Sequence, residues 1–103
     1  MTEWVDVCSA DDIEIEDVVR FDWGDRTFAV YRSPESEFHC TDGLCTHESV
    51  HLADGLVIDH VIECPKHGGE FDYRSGEALL PPVCINLSTY PTRVVGRRIQ
   101  ILI

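Results

Sequence analysis

Basic residues are scarce in this chain of 103: eight Lys and Arg stand against nineteen Asp and Glu, a formal charge of −11. Such a surface repels phosphate backbones and acidic lipids, so neither nucleic acid nor a membrane surface is an expected partner. It suits brief docking onto basic patches of other proteins, where steering raises the encounter rate, and excess acid also keeps a small protein soluble. Long apolar runs are missing, and "MTEWVDVCSADDIEIED" carries acids where a signal peptide needs a basic start and an apolar stretch. The expectation is a soluble, cytoplasmic protein.

Helical periodicity is nearly absent as well: no helix-period segment exceeds about three turns, and there is no repeat or low-complexity linker. The length suits one core, so residues 1–103 read as a single domain. Cysteines at 8, 40, 45, 64 and 84 make an odd set. Without an export signal, that excludes a disulfide framework and leaves metal binding or burial.

What is present is strand pattern. The runs 4–8, 18–23, 27–32, 37–42, 61–65, 84–91 and 98–103 alternate or are β-branched, with "WGDR", "SPESE", "ADG", "YRSGE" and "VVGR" turning the chain between them. In the last run Ile99, Ile101 and Ile103 share one face, as in a half-buried strand. Only "SADDIEIED" predicts a helical turn, with Ser9 as its cap and Asp11 and Asp12 in the first turn. The predicted fold class is all-β, an antiparallel sandwich or barrel of short strands. Residues from about 43 to 82 break the pattern and read as a small inserted subdomain that carries a site, on a base formed by the remainder.

That segment holds "CTH" at 45–47 and "CPKH" at 64–67. Cys45 and His47 can face one side of an extended loop, and Pro65 stiffens a tight turn between Cys64 and His67. The intervening "GLVIDHVIE" is hairpin-like and brings both loops to one end. Zinc commonly takes two Cys and two His. Zinc fingers, however, usually pair Cys with Cys and His with His, whereas here each loop supplies one of each. That mixed order suits a two-iron cluster in which two histidines replace two cysteines on one iron.

At these residues the sequence resembles the Rieske family. "CTH", "CPKH", the following "GGEFD" and the downstream "LLPP" match its two cluster loops and covering proline loop, and the resemblance extends over essentially the whole chain. It implies the Rieske fold, an antiparallel β-sandwich base with an inserted cluster-binding subdomain, and one [2Fe-2S] cluster. Cys45 and Cys64 would ligate the buried iron, and His47 and His67 the outer one. Respiratory Rieske proteins add a disulfide cysteine to each loop and place Ser and Tyr hydroxyls by the cluster. Here Val50, Lys66, Gly69 and Phe71 stand at those positions. Fewer hydrogen bonds to the cluster sulfurs predict a low potential, about −150 mV.

"CTHESVHLADG", "IECPKHGGEFDYRSGEA" and "PVCINLSTYP" look most like ferredoxin components of bacterial aromatic-ring hydroxylating oxygenases and their relatives in rhizopine catabolism. The resemblance implies an electron carrier, not an enzyme. It would take one electron from a flavin-containing, NAD(P)H-oxidising ferredoxin reductase and pass it to a terminal oxygenase, with no small-molecule substrate of its own. The alternatives are a Rieske-like small subunit of a reductase, such as assimilatory nitrite reductase, and a zinc-stapled interaction module. Cys8, Cys40 and Cys84 read as small buried residues in strands, His39 and His60 as surface residues, His51 as a surface residue or else one that covers the cluster or touches a partner, and Trp4 and Trp23 as packing. The acids at 11, 12, 14, 16 and 17 read as a solvated face. Pro81 and Pro82 either end a loop or wall off the cluster.

Overall fold

Runs that alternate in sequence become strands in the computed structural model, which describes residues 2–83 and 85–103. The strands are β1 (Trp4–Ser9), β2 (Asp17–Trp23), β3 (Arg26–Arg32), β4 (Phe38–Asp42), β5 (Leu56–Ile58), β6 (Val61–Glu63), β7 (Glu70–Asp72), β8 (Ala78–Leu80), β9 (Thr89–Tyr90), β10 (Thr92–Val95) and β11 (Arg98–Leu102). They form three antiparallel sheets, ordered β1-β11-β10, β2-β3-β4-β9 and β5-β6-β7-β8. The all-β expectation holds.

Successive residues of a strand face opposite ways, and β3 uses both faces. Phe28 and Val30 pack with Val5, Ile13, Cys40, Ile99 and Ile101, against the β1-β11-β10 sheet. Ala29 and Tyr31 join Leu52, Val57, Ile62, Phe71 and Tyr73, against the β5–β8 sheet. The Tyr31 and Tyr73 rings stack 4.5 Å apart, 6° from parallel, and each hydroxyl is satisfied, by Thr41 Oγ1 and the Asp59 carbonyl respectively. The central sheet is thus covered on both sides, and the β5–β8 sheet is fixed to it by a continuous apolar layer.

The helical turn is a 3-10 turn at Ala10–Asp12, capped by Ser9, whose hydroxyl accepts from the Asp11 N–H while Asp12 Oδ2 accepts from the Ser9 N–H. The acids at 11, 12, 14, 16 and 17 are exposed, as expected. Ile99 and Ile101 are fully buried and Ile103 is half-buried. The strand expected over 84–91 is shorter: of its described residues only Thr89 and Tyr90 are strand, because 85–88 turn back to bond with residues 42, 76 and 78. Cys84 lies outside the described residues. Cys40 is buried, its thiol pushed up to about 12 by that burial, whereas Cys8 is half-buried. Trp4 is half-buried beneath the Arg93 guanidinium, 4.1 Å from its ring, and Trp23 is exposed against Phe21.

Candidate metal centre

Two loops at one end of the β5–β8 sheet carry the four residues singled out by their spacing. In the first, β4 ends at Asp42 and the chain bends at Gly43, where a Cβ would lie 2.5 Å from His51 Nε2 and 3.0 Å from the Phe28 N. The stem is closed by a Leu44–His51 bridge, by the Cys45 N–H donating to the Val50 carbonyl (3.0 Å), and by the Leu52 N–H donating to Gly43 (2.8 Å). Closure turns Cys45 into the apolar core, 5% exposed, and leaves His47 in the open.

The second loop is the turn between β6 and β7. The Cys64 N–H donates to the Gly69 carbonyl (2.7 Å), and His67 and Gly68 both take left-handed backbone angles, φ +72° and +70°. That sequence of conformations throws the His67 ring outward while Cys64 stays 1% exposed. A third segment covers both loops. Val83 is buried against Gly69, where a Cβ would stand 2.6 Å from Val83 Cγ1, and Thr46 Oγ1 donates to the Ile85 carbonyl (2.7 Å). The Pro81–Pro82 pair precedes Val83, with Pro81 exposed and Pro82 half-buried.

Two kinds of donor result. Burial pushes the Cys64 thiol up to about 11; the Lys66 backbone N–H opposes the rise and the adjacent Cys45 sulfur adds to it. A buried thiol pair of this kind ionises when a cation sits against it. The His47 and His67 rings are 5.8 Å apart and 75° from parallel, on the exposed rim. Glu48, whose place in the sequence beside the first loop suggests a docking residue, as do those of Lys66 and Glu70 beside the second, places Oε1 3.3 Å from His67 Nε2 and Oε2 3.9 Å from Lys66 Nζ.

Geometry separates the readings of this donor set. Ligands of one tetrahedral zinc lie within about 4 Å of one another, given metal–ligand bonds of about 2.0–2.3 Å. Among the described residues, the sets of three or more donors within 4.8 Å are His47–Glu48–His67 and Glu35–Asp59–His60. Neither thiol therefore joins the imidazoles in a set of single-ion size. A buried pair of sulfurs and an outer pair of imidazoles, held as two sets, fits a two-iron unit ligated unequally at its ends.

Three further histidines were expected at the surface. His60 is half-buried and pairs with Glu35 (2.6 Å). His39 is half-buried, with Nε2 enclosed and unbonded within the structure. His51 is 5% exposed and fully hydrogen-bonded, so the surface reading is wrong for it. Its burial comes from contact with Thr27, far away in sequence, which local pattern does not reveal.

Residues 3–91 match the family model of the Rieske [2Fe-2S] domain. The chain is 39% identical over 102 residues to the ferredoxin component of the naphthalene 1,2-dioxygenase system of Pseudomonas aeruginosa, covering 98% of this chain and 97% of that one. Among solved structures it superposes with a TM-score of 0.90 on the Sphingomonas yanoikuyae B1 ferredoxin, at 32% identity over 96% of this chain and 97% of that one. It also superposes at 0.90 on a chain from the complex of reduced oxygenase and oxidised ferredoxin in carbazole 1,9a-dioxygenase, at 31% identity over 95% and 91%. The small subunit of an NADH-dependent nitrite reductase from Mycobacterium tuberculosis, at 22% identity and TM-score 0.86 over 100% and 96%, shares the fold alone. The chain belongs to the Rieske [2Fe-2S] family.

Proposed function

We propose that this member of the Rieske family is a ferredoxin, a soluble cytoplasmic carrier of single electrons within a multicomponent oxygenase system and not itself a catalyst. The observation that carries the reading is the two-tier donor set: buried Cys45 and Cys64 beneath exposed His47 and His67. Cys45 and Cys64 would hold the inner iron of one [2Fe-2S] cluster, and His47 and His67 the outer iron. When bound, the cluster supplies one-electron redox chemistry.

The chain's own residues supply the rest. Val83, Phe71 and Leu52 keep water from the thiol pair. The two imidazoles form the exposed edge through which an electron enters and leaves. Glu48 and Lys66 at that edge, with Glu70 at the foot of the second loop, give it a charged margin for partners to dock against. Residues 43–82 act as the cluster-binding subdomain, and the remaining strands as its base.

The relatives' membership of dioxygenase systems supports a terminal oxygenase as electron acceptor; in this reading the donor is a flavin-containing, NAD(P)H-oxidising reductase. The nitrite-reductase alternative has only the shared fold behind it. Coulometric titration of the purified protein, followed by mixing with the oxygenase component of a naphthalene dioxygenase system, tests the reading. Uptake of one electron per chain and its transfer to the oxygenase are expected. No uptake, or uptake without transfer to any oxygenase or reductase partner, contradicts it.

A further inference from the structure

The ring of His51 is held at both nitrogens, and the partners fix its tautomer. Nδ1 accepts from the Ala53 N–H (3.0 Å), capping the 3-10 turn at Leu52–Asp54. Nε2 lies 2.8 Å from Thr27 Oγ1, which in turn lies 2.6 Å from Asp22 Oδ1. A carboxylate only accepts, so the Thr27 hydroxyl proton points to Asp22, and Nε2–H must donate to Thr27. Arg20 holds the outer end of the chain through its Nε, 3.0 Å from the same Asp22 oxygen. Asp22 and Thr27 are cross-strand partners in the β2–β3 hairpin, so the anchor is a rung of the central sheet.

The other end of the anchor is the stem of the first ligand loop. His51 bridges to Leu44, the residue before Cys45, and its ring packs so closely on Gly43 that a methyl group there would collide with Nε2. The Gly43 N–H also donates to the Thr27 carbonyl (3.0 Å), so one residue of the sheet grips the stem from two sides. Asp22 and Arg20 from β2 and Asp54 from the 3-10 turn are the charged groups acting on the ring.

We propose that His51 is a positioning residue for electron transfer: through Thr27 and Asp22 it anchors the stem that presents Cys45 and His47, fixing the inner and outer donors of that loop relative to the second loop. The inference rests on the reading of those two residues as cluster ligands. Polar partners one layer beyond the ligands orient them and commonly change metal affinity by about 10–100-fold when removed.

Two variants separate the anchor from the cap. Thr27→Val removes the anchor and leaves the cap intact; His51→Asn keeps a good capping side chain but is too short to reach Thr27. Both are expected to shift the g values and midpoint potential of the reduced protein in the same direction, and to speed cluster loss to a chelator about tenfold. Wild-type g values, potential and chelation rate in both variants would reduce His51 to a cap and overturn the proposal. Amide exchange on the protein as purified reads the anchor by a signal that does not come from the cluster. Protection of the Cys45 and Leu52 amides should fall about fivefold in Thr27→Val; unchanged protection overturns the proposal. Wild-type protein that binds no iron while showing this exchange effect would sink the ligand reading and leave the anchor standing.

Discussion

Thr46 Oγ1 donates to the Ile85 carbonyl across 2.7 Å, fastening the first ligand loop to the segment that covers the site. Thr46 stands between Cys45 and His47, so this bond and the two candidate ligands share one short stretch of backbone. Thr46→Val keeps the shape and loses the bond, a net cost of about 1 kcal/mol. The expected result is faster bleaching of the visible absorbance under a chelator, by about fivefold, with the secondary structure unchanged in circular dichroism.

Gly69 has no room for a side chain, because Val83 occupies the space. Gly69→Ser is expected to destabilise the protein by about 1–3 kcal/mol through overpacking. Adding Val83→Ala opens the space and should recover much of the loss, a coupling that a double-mutant cycle in urea reads directly. Equal destabilisation with and without Val83→Ala would contradict the packing account.

The same residues bear on potential. Gly69 offers no hydroxyl and Phe71 is fully buried among apolar side chains. With few donors to stabilise added negative charge, the reduction midpoint is expected at about −150 mV, the low end for histidine-ligated clusters. A clearly positive midpoint in a redox titration would contradict this.

Acid stability should fall in two stages. Burial lowers the basicity of both His39 and His51, with Glu37 acting against it at the former and Arg20 reinforcing it at the latter. Their folded pKa values lie below the unfolded value of about 6.5, so the unfolded chain takes up protons first. Stability is full above that pH and declines as pH falls from about 6.5 through the folded values. A second decline follows in the carboxylate range: Asp22, held below its usual value by the Thr27 hydroxyl and Arg20, and Asp72, held by Arg74, must be protonated. Thermal melts from pH 8 to 3 check this. His51→Asn and His39→Asn should each flatten the first stage, and an unchanged first stage in both variants would contradict it.

The candidate donors were legible because they are local: Cys45 with His47 and Cys64 with His67 each sit on one short loop, so spacing marks them. The alternating faces of β3 and β11 were legible for a related reason, since period-two burial is written into consecutive residues. β7 and β8 are three-residue strands, and β10 (Thr92–Val95) is an edge strand with no buried residue, so none advertises itself. The burial of His51 was not legible for a different reason. Nothing in "HESVH" distinguishes a solvated histidine from one wedged against Thr27; that difference exists only once the sheets have assembled.

The most direct test of the account is low-temperature electron paramagnetic resonance on the dithionite-reduced protein, with iron, sulfide and zinc measured on the same sample. The account predicts a rhombic signal with an average g below that of all-cysteine ferredoxins, two irons and two sulfides per chain, and loss of that signal in His47→Ala and His67→Ala. A silent sample holding one zinc and no sulfide would contradict it.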